Sequence, residues 1–258
     1  MRNYELNLDD YRLGNFTMIL PNAENSLSII LDKMTIPANL YTNNDYSPRT
    51  IEIEICDLDT QIFGYKLYCK RKRYSRLEWI SNESSNYRTD LLFRLIDRLN
   101  NYFHVGICYL SDESVLYVYD VAISKYPVHL PLWLLEIFKY GQTYYERRGW
   151  AFNFESYKSS GLKEIDSIDD YNYTKEYLRT LKLDSIPTKF ILYGEYDSSK
   201  PIGEYFVRLA RCNYSELFID LYADMTKNII GFRIAIDKIK SAMSFYSKSY
   251  NISLSANV

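Results

Sequence analysis

Arg76-Leu77-Glu78-Trp79-Ile80 is followed by Thr89-Asp90-Leu91-Leu92-Phe93-Arg94-Leu95-Ile96-Asp97-Arg98-Leu99 and then by Val105-Gly106-Ile107-Cys108-Tyr109-Leu110. The first segment alternates polar and apolar side chains, the pattern of a half-buried strand. In the second, the apolar residues at 91, 92, 95, 96 and 99 mark one face at helical period, and Thr89 can cap the helix that carries them. The third reads as another strand. A strand, a helix and a strand in succession predict an α/β protein.

Outward from this segment the pattern continues. Upstream, Ile51-Glu52-Ile53-Glu54-Ile55-Cys56 alternates apolar and charged residues, Asp57 to Thr60 turns, and Gly64 to Lys70 alternates again. Residues 1–50 are mixed. Phe16 to Leu20 reads as a strand and Ser26 to Met34 as a short helix or strand, and Pro37 and the turn-rich stretch Thr42 to Pro48 interrupt them. Downstream, Ser111 to Ser114 turns and Val115 to Ala122 is a strand or an extended arm. Pro131 suits the first turn of a helix from Leu132 to Tyr140. Ala151 to Phe154 is strand-like. Residues 156–190 are polar and charged, with a surface helix over Thr174 to Leu183, and Phe190 to Tyr193 has the composition of a strand. Helical periodicity recurs over Ile202 to Ala210, Tyr214 to Met225 and Ile229 to Lys240, and Ser241 to Val258 reads as a polar tail.

Composition narrows the function classes. With 258 residues, 47% of them hydrophobic, the chain can bury a substantial core. Its 31 Lys and Arg balance 33 Asp and Glu, so a polyanionic partner such as bulk nucleic acid is not expected. The one basic cluster, Lys70 to Arg76, reads as a solvated hairpin tip. The 27 tyrosines fit an AT-rich coding sequence, or an assembly surface where rings with polar tips are favoured. Cys56, Cys69, Cys108 and Cys212 form no CxxC pair, and His104 and His129 have no ligand-spaced neighbours. Reduced, buried thiols and no metal site are therefore expected. No apolar run approaches the ~20 residues that span a bilayer, and the N-terminus lacks the pattern of a signal peptide. The expected location is cytoplasmic, or the interior of a particle assembled in the cytoplasm.

One further segment carries a functional hint: Lys139-Tyr140-Gly141-Gln142-Thr143-Tyr144-Tyr145-Glu146-Arg147-Arg148-Gly149-Trp150. A tyrosine pair ahead of a Gly-aromatic step, between helix and strand, resembles the GNAT superfamily of N-acetyltransferases. The order strand, strand, strand, helix, strand, helix, strand over 51–154 is similar to that family's core. Cys108 to Ser114 taken with Tyr140 to Glu146 is also similar to divergent members encoded by large DNA viruses. The resemblance implies a GNAT-like mixed central sheet flanked by helices. In that sheet two parallel strands, here Arg76–Ile80 and Val105–Leu110, splay apart around the pantetheine arm of acetyl-CoA.

It also implies roles. Tyr145, aligned better than Tyr144, would protonate the departing thiolate, because a phenol with pKa near 10 is protonated at neutral pH. Glu78 or Glu83, beside the first splayed strand, would take the proton of the amine. Ser84, Ser85, Asn86, Tyr87, Arg88 and Thr89 would hold the pyrophosphate at a helix start. The family's loop carries glycines that let the backbone approach the phosphates, and this one has none. Asn86 tolerates unusual backbone angles, and Arg88 or the hydroxyls can meet phosphate oxygens.

The expected organisation is a GNAT-like core with N-terminal elements over residues 1–155 and a mostly helical extension packed on it over 156–258. The expected function is acetyl transfer from acetyl-CoA to an amine, with no membrane association. The alternative that the glycine-free loop favours is a catalytically inactive GNAT-fold protein, a binding or virion-associated structural component with a protein partner or a second copy of itself.

Overall fold

A computed structural model of the chain describes residues 11–13, 16–19, 26–31, 34–43, 49–57, 60–69, 73–80, 89–112, 115–118, 128–184, 186, 196–211 and 215–250. The chain divides into two units, Met1–Leu110 with Lys248–Val258, and Ser111–Ser247. The division expected after residue 155 falls inside the second. Both units combine strands and helices, and the protein is α/β with a mixed sheet.

Unit 1 is built on strands in sequential order: β1 (Tyr11–Leu13), β2 (Phe16–Ile19), β3 (Ser26–Leu31), β4 (Met34–Asn43), β5 (Arg49–Asp57), β6 (Thr60–Cys69) and β7 (Tyr74–Ile80). Each pairs antiparallel with the next. Helix α1 (Thr89–Tyr102) then returns the chain, so that β8 (Ile107–Leu110) lies parallel to β7. A parallel neighbour requires such a crossover.

The alternation seen in the sequence sorts the two faces. Leu27, Ile29, Leu31, Ile36, Ala38, Leu40, Ile51, Ile53, Ile55, Phe63, Tyr65, Leu67 and Leu77 are buried, as are Leu91, Leu92, Leu95, Ile96 and Leu99 of α1. Each buried Leu or Ile contributes roughly 1.5–3 kcal/mol relative to exposure. On the other face Lys66 forms an ion pair with its registered cross-strand partner Glu52.

Strand β4 runs through Pro37, which the sequence reading takes as an interruption. The register explains the difference. Residues 34–39 of β4 pair with β3, whereas pairing with β5 begins only at Asn39↔Glu54. Pro37 therefore sits where β4 has one registered partner, a local edge that tolerates the missing N–H.

Unit 2 starts with a hairpin, β9 (Val115–Val118) against β10 (Val128–Pro131). Helix α2 (Leu132–Tyr140) follows at once and buries Trp133, Leu134, Ile137 and Phe138. It ends at Gly141, whose φ of 70° suits the left-handed cap. A 3-10 turn (Glu146–Arg148) leads to β11 (Ala151–Phe152). The strand expected to reach Phe154 stops short, because the Asn153 side chain accepts the Ser156 N–H at 3.0 Å and caps α3 (Phe154–Ser159).

Among the described residues, helices α4 (Ile168–Thr180), α5 (Ile202–Arg211), α6 (Ser215–Asn228) and α7 (Ile230–Ala242) follow. Against α2, α5 brings Gly203, where an added Cβ would meet Phe138 ring atoms at 2.8 Å, and Phe206 stacks on Phe138 at 5.1 Å. After α7 comes β12 (Tyr246–Ser249), a strand where the sequence reads as a tail. In unit 2, Tyr246 and Ser247 of β12 pair antiparallel with Phe152 and Ala151. Of the tyrosines, Tyr65, Tyr145, Tyr157, Tyr171, Tyr205 and Tyr246 are core residues rather than assembly surface.

Candidate functional site

Two regions, one in each unit, hold the residues that the resemblance singles out. In unit 1 the parallel pairing of β7 and β8 runs from Tyr74↔Ile107 to Leu77↔Leu110 and ends there, while β7 continues to Ile80. On its other side β7 remains paired with β6, through Gly64↔Trp79 and Phe63↔Ile80. The register shifts between Gly64 and Tyr65, so Glu78 is an extra residue with no opposite number on β6. Such a bulge re-aims side chains and recurs beside active sites. The Glu78 carboxylate lies at the surface, 3.8 Å from the Arg76 guanidinium.

Beneath this parallel pair is a neutral polar cluster. Asn100 of α1 is fully buried, and its Oδ1 accepts hydrogen bonds from the Tyr65 hydroxyl at 2.9 Å and the Ser75 hydroxyl at 2.6 Å. Its Nδ2 has no hydrogen-bond partner among the described residues. Cys108, registered opposite Ser75, is buried too, and burial pushes its thiol up to about 11. It is a packing residue in the thiol form, as the sequence implies. At the start of β8, Gly106 accepts the backbone N–H of Tyr250, and the Asp97 carboxylate of α1 accepts from Lys248 and Tyr250 at 2.8 Å each.

In unit 2 the segment 143–150 folds as a tight turn. Thr143 and Glu146 form a reciprocal capping box. The Thr143 N–H donates to Glu146 Oε2 at 2.7 Å, and the Glu146 N–H donates to Thr143 Oγ1 at 3.3 Å. The other carboxylate oxygen, Oε1, accepts from Lys175 Nζ of α4 at 2.5 Å. Both side chains are largely withdrawn from water, 7% exposed for Lys175 and 11% for Glu146. Lys175 Nζ also lies 4.4 Å from the Tyr171 ring centroid, a cation–π contact, and the Tyr171 and Tyr246 hydroxyls share a hydrogen bond of 2.6 Å.

Tyr145 lies within this arrangement. Its carbonyl accepts from the N–H groups of Arg148 and Trp150, and its ring meets Tyr144 edge-on at 5.6 Å and Tyr246 at 6.4 Å. The side chain is 7% exposed. Burial, and then the charge of the buried Asp112, pushes its phenol well above the ordinary value. Tyr144 is less buried, and its ring carries the Arg148 guanidinium at 3.5 Å.

Glu78 thus belongs to unit 1 and Tyr145 to unit 2. Thr89 is the first residue of α1. Glu83 and Ser84, Ser85, Asn86, Tyr87 and Arg88 lie outside the described residues, as do Lys70 to Lys72 of the basic cluster. Of the rest of that cluster, Arg73 donates to the Phe103 carbonyl at 2.9 Å and is a packing residue. The sequence reading passes over Glu146 and Lys175. The Thr-x-x-Glu spacing of a capping box marks the first, whereas Lys175 is one lysine on a helix and has no local signal.

A second feature of unit 2 is a groove between α4 and α7, lined by Tyr173, Thr174, Tyr177, Gly231, Ile234 and Ala235. Tyr173, Ile230 and Ile234 are 73%, 65% and 50% exposed. Among the described residues no group of acidic, histidine and cysteine side chains could hold a metal ion, and no helix is long and apolar enough to cross a membrane. Comparisons with models of protein families, with curated proteins and with solved structures find no match.

Proposed function

We propose that the chain is an N-acetyltransferase of the GNAT kind, moving an acetyl group from acetyl-CoA to an amine. The observation that carries the proposal is the β7–α1–β8 unit. Its parallel pairing stops at Leu77↔Leu110 while β7 runs on, with Glu78 in a bulge. Past that point no described residue of β8 is registered with β7, and the peptide groups there would bind the amides of a pantetheine arm. The solvent-facing carboxylate of Glu78 suits a base for the incoming amine, with Glu83 the other candidate. In the reaction that the resemblance implies, the amine nitrogen attacks the thioester carbonyl, its proton passes to a carboxylate, the C–S bond breaks, and the thiolate takes a proton, the part that the resemblance gives to Tyr145. The phenol of Tyr145 stays protonated at neutral pH, as that role requires. The segment from Ser84 to Thr89 would hold the pyrophosphate.

A second reading is an inactive protein of this fold that serves as a binding or virion-associated component. Burial of Tyr145 in the core favours it, as do the exposed apolar residues around the α4–α7 groove. Calorimetric titration with acetyl-CoA, run beside coenzyme A, separates the two. Saturable binding, followed by turnover with an amine that Tyr145→Phe removes at unchanged affinity, is the expected result. No heat at millimolar ligand would overturn the enzyme reading and leave the second.

A further inference from the structure

We infer that the buried ion pair between Glu146 and Lys175 positions the turn that carries Tyr145, so that the placement of this side chain depends on a lysine from a different helix. Its meaning for catalysis rests on the function proposed above.

The turn needs an anchor. Gly141 and Gly149 bracket it with positive φ, 70° and 81°, and between them lies a 3-10 turn of three residues, whose hydrogen-bond geometry is poorer than that of an α-helix. The capping box closes the turn on itself. Two ion pairs tie it to helices: Arg147 bonds Glu136 of α2 at 2.5 Å at the partly exposed rim, and Lys175 reaches Glu146 Oε1 from α4 in the buried interior while Thr143 uses Oε2. Each carboxylate oxygen thus has one assigned donor, and the orientation of Glu146, next to Tyr145 in the chain, is fixed from both sides.

A charged pair in a nearly dry site adds little stability by itself, because desolvation offsets much of the attraction and well-packed apolar side chains do as well. What it provides is directionality: the ammonium is held by one carboxylate oxygen and by the Tyr171 ring, and Tyr171 in turn bonds Tyr246, whose ring packs against Tyr145. Glu146, Lys175, Tyr171 and Tyr246 are therefore linked in series, and the last of them packs its ring against Tyr145.

The test uses the full chain and three variants, Lys175→Met, Lys175→Arg and the double variant Lys175→Met/Glu146→Gln. Hydrogen exchange followed by mass spectrometry reads amide protection over residues 143–150. Lys175→Met should speed exchange there by about a hundredfold, with α1 unaffected, because it leaves the Glu146 carboxylate buried without its cation. The double variant, which removes both charges and guards against a single variant that fails to fold, should remain folded yet exchange faster than the wild type at 143–150. Protection at 143–150 equal to that of the wild type in both would overturn the inference.

The kinetic arm addresses the reaction. With an amine substrate, Lys175→Met should lower kcat by about tenfold to a hundredfold, as a small misplacement of a reacting group does. KM for acetyl-CoA and coenzyme A affinity should stay within about twofold, and Lys175→Arg should recover most of kcat. Faster exchange with unchanged kcat would overturn the positioning role. A wild-type chain that binds no acetyl-CoA would instead overturn the proposed function, whatever the exchange shows.

Discussion

The two buried polar clusters solve the same problem with different chemistry. In unit 1, Tyr65, Ser75 and Asn100 meet under the β7–β8 pair as neutral groups, two hydroxyls sharing one amide oxygen. In unit 2, Glu146 and Lys175 meet as ions, with Thr143, Tyr171 and Tyr246 around them. A neutral hydrogen bond loses little when its partners leave water together. An ion pair loses much more and depends on both partners remaining. The neutral cluster therefore suits a place where strands and a helix are already fixed by many apolar contacts. The charged cluster suits a glycine-bracketed turn whose own helical ladder is short.

The largest effect expected from this contrast is at Lys175. Replacing it by Met leaves the Glu146 carboxylate buried without its cation and should cost about 3–5 kcal/mol. Urea unfolding followed by far-ultraviolet circular dichroism would measure it, and a loss below about 1 kcal/mol, the range of an exposed pair, would erase the distinction between the clusters.

Asn100→Ala is the matching change in unit 1. It strands two buried hydroxyl donors, those of Tyr65 and Ser75, and removes side-chain atoms from a filled site. A loss of roughly 2–3 kcal/mol is expected, smaller than at Lys175 because no charge is exposed to the interior. The same unfolding experiment ranks the two, and the reverse order would show that the neutral cluster is the more constrained. Tyr171→Phe should have a smaller effect, roughly 1–1.5 kcal/mol, since it deletes one hydroxyl of the 2.6 Å pair and leaves Tyr246 near Met243 Sδ at 3.9 Å. A loss as large as that at Lys175 would mean that the hydroxyl pair, not the ion pair, holds the network together.

How much of this was legible beforehand follows from how local each signal is. Residues 91, 92, 95, 96 and 99 announce α1 because one face of a helix is a local pattern, and all five are buried. Asn100, the next residue, is equally buried, yet its role depends on hydroxyls contributed by β6 and β7, which no spacing encodes. Pro37 masks β4 because the one-sided pairing that tolerates it is set by the register of two other strands. Tyr246-Ser247-Lys248-Ser249 lacks an apolar pattern, and β12 exists because β11 pairs with its start. In the candidate site, Thr143 and Glu146 are three apart and readable as a cap, while Lys175 comes from a separate helix. Tyr145 was legible as a residue of interest through the segment around it, but its burial was not, because beside its neighbour Tyr144 it packs against Tyr246, which comes from β12.

The smallest effect concerns a pair that sits between the two extremes. Asp170 and Lys238 bond through both carboxylate oxygens at 2.8 Å, and their side chains are 21% and 25% exposed. Partial desolvation pushes the Asp170 carboxyl up, but the Lys238 ammonium and the Asp166 N–H outweigh it, and the net shift is below the ordinary 3.8. A folded-state value below the unfolded one means that the carboxylate stabilises the fold above the unfolded pKa. That contribution is lost as pH falls from about 4 through the folded value. Asp170→Asn, which keeps an acceptor for Asp166 but not the charge, should cost about 1 kcal/mol or less at pH 6 and close to nothing at pH 2. Urea titrations of both proteins at the two pH values read the difference directly. A gap that stayed constant with pH would show that Asp170 acts by shape and hydrogen bonding alone, and that among the ion pairs of unit 2 charge matters only where water is excluded, at Lys175.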